Sequence, residues 1–150
     1  MVEMTYDTNR HVELKKAARE RYDNLTPMYC KPLKAEVYFN SDGYYHMIFK
    51  SNREKRNVAD QSARLNLIPL IKPVLYQAKK IHETRIDEVT VAGVKKTRTC
   101  YSFIEYVGDG LHAKVKVVVR QTGAGNYYFH SVMKMNKSTK KSKTPPSQGV

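Results

Sequence analysis

The stretch HAKVKVVVRQTGAGNYYFHSVMK, residues 112–134, decides how this chain folds. Val115, Val117 and Val119 alternate with Lys114, Lys116 and Arg120, the period of a strand with one buried and one solvated face. Gly123 and Gly125 supply a turn, and the alternation resumes from Tyr127 to Lys134, so the stretch reads as a β-hairpin. Its polar face carries Arg120 from one strand and either His130 or Ser131 from the other. Those two neighbours point to opposite faces of a regular strand, and share a site only if a bulge intervenes. A guanidinium beside a proton-transfer side chain can act on a phosphodiester. The competing reading is a solvated face, with Arg120 paired to an acid such as Glu105 and Ser131 a small core residue.

Upstream, TRTCYSFIEYV (97–107) is rich in β-branched and aromatic residues and reads as a strand, closed by Gly108-Asp109-Gly110. Residues 82–97 are ambiguous; Ile86, Val89 and Val91 suggest a short strand. Further back, the segment 51–81 is helical by period. It reads as two helices that break near Ile68–Pro69, the proline opening the second. KAEVYFNSDGYYHMIFK (34–50) reads as another hairpin, with Ser41-Asp42-Gly43 as its turn. On that reading His46 and Lys50 share one face of its return strand. An amino-terminal helix is expected over about residues 9–25, with Val12, Ala18, Tyr22 and Leu25 near one stripe and Pro27 beyond its end. The order is helix, hairpin, two helices and an antiparallel meander. That is an α+β fold with helices packed on one face of a sheet that ends in a β-hairpin.

The 150 residues, 41% of them hydrophobic, suffice for one core, so residues 1–134 read as one domain. NKSTKKSKTPPSQGV, within residues 135–150, reads as a disordered basic tail. Lys and Arg number 27 against 14 Asp and Glu, a net charge of +13 and a pI near 9.7. Five of those charges are Lys134, Lys137, Lys140, Lys141 and Lys143, which leaves +8 on the rest. A basic body of this kind points to a polyanionic partner, nucleic acid first. No apolar run is long enough for a membrane span, and the amino terminus lacks a secretory signal's apolar region. Cys30 and Cys100 read as two reduced thiols of a cytoplasmic protein.

There is no Gly-rich nucleotide loop, no HExxH, no His/Cys cluster at zinc spacing and no paired carboxylates, so neither a cofactor nor a metal is expected. His, Lys, Arg, Tyr and Ser remain, the tools of metal-independent RNA cleavage. There the 2′-hydroxyl is the nucleophile, and the protein moves two protons and stabilises a pentacoordinate phosphorane. The candidates for that chemistry are His46, Lys50, Arg120, His130 and Ser131. Arg53, Arg56, Lys114 and Lys116 are candidate phosphate contacts, the first two at a helix amino terminus that favours anions. Tyr128 or Tyr45 can stack a base. His11, His82 and His112 read as structural.

YHMIFK, the Arg-rich helix start, LIPLI, VKVVVRQ and FHSVM together resemble the phage and mobile-element nuclease domains of the barnase–EndoU–colicin–RelE superfamily. The resemblance covers about residues 44–133. It implies a curved antiparallel sheet, metal-independent ribonuclease activity, and a site built from His46 and Lys50, Arg120, and His130 with Ser131. It leaves open which residue is base and which is acid. The amino-terminal helix and the lysine tail lie outside the shared motif. The expected protein is a toxin- or effector-type ribonuclease leaving a 2′,3′-cyclic phosphate, with tRNA or rRNA as substrate and an immunity or antitoxin protein as partner. The alternative is a non-catalytic nucleic-acid-binding accessory protein of a phage or mobile element.

Overall fold

A computed structural model describes residues 2–136, with side chains from residue 9 onward. Four helices, α1 (Val2–Asp23), α2 (Ser41–Ile48), α3 (Val58–Leu65) and α4 (Ile68–Gln77), are interleaved with six strands. The strands are β1 (Met28–Cys30), β2 (Ala35–Tyr38), β3 (Glu83–Val91), β4 (Val94–Val107), β5 (Ala113–Thr122) and β6 (Tyr127–Lys134). From residue 137 the basic tail expected from the sequence lies outside the described residues.

The strands make one sheet in the order β1-β2-β6-β5-β4-β3. It corrects the expected curved antiparallel sheet in two ways. The sheet is mixed, because β2 runs parallel to β6, with Val37 opposite Tyr127 and Tyr38 opposite Tyr128. It is also open and not strongly curled, ending in β1 on one side and β3 on the other. A parallel pair needs a long excursion between its strands, and the chain runs through three helices and the β3–β5 meander before β6 returns beside β2.

The expected hairpin over residues 34–50 is half right: β2 is present, but its return strand is the helix α2. Asn-Ser-Asp-Gly is ambiguous, since residues that make turns also start helices. Here Asn40 takes the extended conformation of an N-cap, and Asp42 lies in the positively polarised first turn. Tyr44, Met47 and Ile48 are the buried set, spaced for a helix and not for a strand. Packing settles the choice at Gly43. A Cβ there would collide with the ring and carbonyl of Phe129, so only glycine lets α2 lie this close against β6.

Val115, Val117 and Val119 of β5 are fully buried, together with Phe103 and Val107 of β4 and Phe129 and Val132 of β6. Against them lie Ile68, Ile71, Val74 and Leu75 of α4, a helix that crosses β4 and β5. The stripe of α1 runs through Leu14, Ala18 and Tyr22, whereas Val12, expected on it, is 58% exposed. Tyr22 donates to the Asn40 carbonyl (2.6 Å), tying α1 to the start of α2. Its ring meets Phe39, Tyr44 and Phe129. At the far end of the sheet β3 is longer than the ambiguous sequence suggested. It pairs with β4 through a two-residue turn, Ala92-Gly93, both at positive φ.

Candidate active site

β2 covers β6 only as far as Tyr128. Beyond it α2 and α3 take over: Gly43 sits against the Phe129 carbonyl, and Arg64 Nη1 donates to the Val132 carbonyl (3.2 Å). At this junction the pairing of β5 with β6 slips. Val118 faces Ser131 and Val119 faces Phe129, so His130 is the extra residue of a bulge. The bulge removes the conflict between His130 and Ser131, and both line one cleft.

His46, in the last turn of α2, brings its ring to 4.3 Å from that of His130, centroid to centroid, with the planes 30° apart. It is a helical residue, not the strand residue expected. Arg56 fixes it from two sides, donating Nε–H to the His46 carbonyl (2.9 Å) while Nη2 lies 3.3 Å from His46 Nε2. A guanidinium can only donate, so His46 Nε2 accepts and the imidazole is the neutral tautomer protonated at Nδ1. Arg56 is itself held by Asp60 (3.0 Å), which also accepts from Arg64 Nε (3.1 Å). Burial works against the Asp60 carboxylate, but hydrogen bonds from Arg56 and Arg64 outweigh it and hold its pKa low.

Both imidazoles are kept neutral. Burial, then Arg56, Arg64 and Arg120, lowers the pKa of His46 to about 4. Burial, then Arg120, His46 and Arg98, lowers that of His130 to about 3. Arg120 is half-buried and, among the described residues, in no ion pair. The acid considered for it, Glu105, stands opposite Val115, and Arg120 stands opposite Cys100. Burial first and then Arg98 push the Arg120 pKa below its usual value. An unpaired cation out of bulk water beside two uncharged rings is a place for an anion.

A cleft of about 340 Å³ gathers His46, Lys50, Arg53, Arg98, Arg120 and His130. A smaller adjoining one, about 250 Å³, adds Ser131, Lys116 and Cys100. Burial pushes the Cys100 thiol up, with Arg120 and Arg98 opposing, which leaves it a poor nucleophile at neutral pH. Two expected phosphate contacts are placed elsewhere. Arg56 is only 8% exposed and engaged with Asp60 and His46, so it positions His46 and does not reach a phosphate. Lys114 stands over the Tyr106 ring (5.8 Å), away from the histidines. Tyr128 lies beside Tyr38 (6.0 Å) and lines a depression that shares Asp42, Arg120 and His130 with the histidine cleft.

Arg98 and Asp60 escaped the sequence reading. Arg98 follows the stretch left ambiguous, and only the register with Asp87 and Thr122 turns it toward the site. Asp60 had a signal, its i, i+4 spacing from Arg56, just before α3, and to Arg64 on that helix. Among the described residues no group of three or more His, Cys, Asp or Glu is placed to hold a metal ion, and no helix is long and apolar enough to cross a membrane. Comparison with protein-family models, curated proteins and solved structures found no match.

Proposed function

We propose that this chain is a metal-independent endoribonuclease of the toxin or effector type that its sequence resembles, acting in the cytoplasm on tRNA or rRNA and restrained by an immunity or antitoxin protein. The observation that carries the reading is the half-buried, unpaired Arg120 in one cleft with the paired, neutral His46 and His130 and with Lys50. In this reading a backbone phosphate lies against Arg120 and Arg98, which take up the charge that grows on the equatorial oxygens.

A neutral imidazole is the form that accepts a proton. His130 has no hydrogen bond from its ring to a described residue, whereas the Nε2 lone pair of His46 is engaged by Arg56. His130 therefore takes the 2′-hydroxyl proton as the oxygen attacks phosphorus, and His46 keeps the His130 ring in place. The bond to the 5′ oxygen breaks, and that oxygen takes a proton from the Lys50 ammonium, leaving a 2′,3′-cyclic phosphate and a 5′-hydroxyl. Ser131 orients the phosphate with its hydroxyl.

The rival, a non-catalytic nucleic-acid-binding accessory protein, has one observation in its favour: neither imidazole is a proton donor at neutral pH. The deciding experiment is incubation with total tRNA and rRNA in EDTA, with wild type and His130→Ala side by side on a denaturing gel. Discrete fragments with cyclic-phosphate ends from wild type alone are expected. Intact RNA with salt-dependent gel retardation would sink the ribonuclease and leave the binding protein.

A further inference from the structure

A second cleft, about 540 Å³, opens between α1 and α2 and is larger than the one that holds the histidines. The two are continuous, because Asp42, Tyr45 and Arg53 line both. Its wall is aromatic. Tyr45 and Phe49, one helical turn apart, stack with centroids 4.5 Å apart and planes 20° from parallel. Tyr45 is 48% exposed, so this stack is left open at the surface. The Tyr44 ring beside it is held by the Arg19 guanidinium at 4.6 Å and by its own hydroxyl, which donates to the Lys15 carbonyl (3.3 Å). Around this wall stand Lys15, Arg53 and Lys55, none in an ion pair among the described residues.

An open aromatic stack with cations beside it suits a group that has a flat π-face and a phosphate on the same unit. We infer that this cleft is a nucleobase subsite: it takes a base next to the scissile phosphate and stacks it on Tyr45 and Phe49, while Arg53 and Lys55 hold the adjoining phosphate. The inference rests on reading the histidine cleft as the place where RNA is cut, and it adds where the neighbouring nucleotide goes. Stacking accepts any base, because every base has a π-face. Asp42, at the junction of the clefts, accepts from a base amino group. The platform is held before RNA arrives: Tyr45 is on α2, which packs against β6, and Phe49, the residue that ends α2, donates its N–H to the Tyr45 carbonyl (2.9 Å) and bridges to Lys55. Little ordering cost therefore falls on binding.

The test uses the full chain and short oligoribonucleotides whose central linkage has a 2′-deoxy sugar and cannot be cut. 2-Aminopurine, which loses fluorescence when stacked, is placed on either side of that linkage. Wild type is expected to quench the probe at one position. Tyr45→Leu keeps an apolar contact with Phe49 but has no π-face; it is expected to lose the quenching and bind roughly ten- to a hundredfold more weakly. Tyr45→Phe is expected to behave as wild type. A wild type that binds without quenching at either position, or fails to bind, overturns the subsite, as does a Tyr45→Leu variant that quenches normally. Cleavage of the all-ribose oligonucleotide is followed in parallel. Tyr45-dependent quenching without cleavage keeps the subsite and removes the ribonuclease; cleavage with quenching indifferent to Tyr45 does the reverse.

Discussion

The β3–β4 hairpin at one edge of the sheet and the bulge on the interior strand β6 treat charge in opposite ways. At the β3 edge, strand residues are exposed along nearly the whole strand, and Asp87 there pairs at 3.3 Å with Arg98, which reaches from this edge into the histidine cleft. Glu83, Glu88, Lys95 and Lys96 share that exposed hairpin. At the β6 bulge, α2 and α3 close over the strand, and Arg120 and two histidines lie in a cleft where, among the described residues, no carboxylate pairs with the Arg120 guanidinium. Solvated, matched charges contribute little, whereas a buried unmatched one costs free energy until an anion arrives. The net charge of +13 cannot tell these two regions apart; burial and pairing do.

The sharpest way to break that contrast is to compare cleavage by His130→Ala with cleavage by Lys95→Ala. His130→Ala is expected to lower the RNA cleavage rate by about 10²- to 10⁴-fold, the range for a lost general base, while RNA affinity holds. Lys95→Ala, at an exposed position of β4 beside the β3–β4 turn, is expected to change the rate by no more than about twofold. Equal losses would place the chemistry elsewhere on the sheet.

The next effect is on stability. Asp60→Ala leaves Arg56 and Arg64 facing each other without their shared carboxylate, and is expected to cost about 3 kcal/mol in urea unfolding. Asp87→Ala removes an exposed partner and is expected to cost about 0.5 kcal/mol or less. Because Arg56 holds His46, Asp60→Ala also loosens the histidine pair and lowers the cleavage rate. A cost at Asp87 as large as that at Asp60 would end the distinction between the two regions.

Acid separates the two regions as well. An imidazole titrates near pH 6.5 in the unfolded chain but near 4 at His46 and near 3 at His130 in the folded one. Below pH 6.5 the unfolded chain therefore binds more protons, and stability falls as pH drops towards 4 and then 3. The slope is at most about 1.4 kcal/mol per pH unit for each imidazole, and less for the more open His46. The double variant His46→Phe/His130→Phe is expected to flatten the urea-midpoint profile between pH 6.5 and 4. The acid limb of kcat/KM is expected well below pH 6.5. An unchanged profile in the double variant would mean that the rings are solvated in the folded protein.

What could be read from the sequence divides along the same line. The β5–β6 hairpin was legible because Val115, Val117 and Val119 alternate without interruption, and the break between α3 and α4 because Pro69 marks it. α2 was misread: YHMIFK fits both periods, and Gly43 selects the helix only once Phe129 is beside it, a contact 86 residues away in the chain. The bulge at His130 has no local signal, since its cause is the register of β5 against β6. Of the site, His46, Lys50, Arg120, His130 and Ser131 were named from their types and spacing. Their meeting depends on a helix the sequence reading had drawn as a strand. Arg56 shows the converse, a cation counted as a surface contact that instead turns inward to Asp60.

The smallest effect concerns glycine, and it isolates packing from backbone strain. Gly93, in the β3–β4 turn, has φ +79° and nothing within 4 Å of where a Cβ would stand. Gly93→Ala meets only the conformational penalty of the left-handed region, about 1 kcal/mol, and is expected to leave cleavage unchanged. Gly43 has no such conformation; its Cβ would meet Phe129, so Gly43→Ala must move α2 off β6, at a cost of about 1–3 kcal/mol. The same shift separates His46 from His130, so the rate falls although neither histidine is touched. The two alanines thus differ modestly in melting and sharply in activity. A Gly43→Ala protein that cleaves as wild type does would show that the closeness of α2 to β6 has no part in the chemistry.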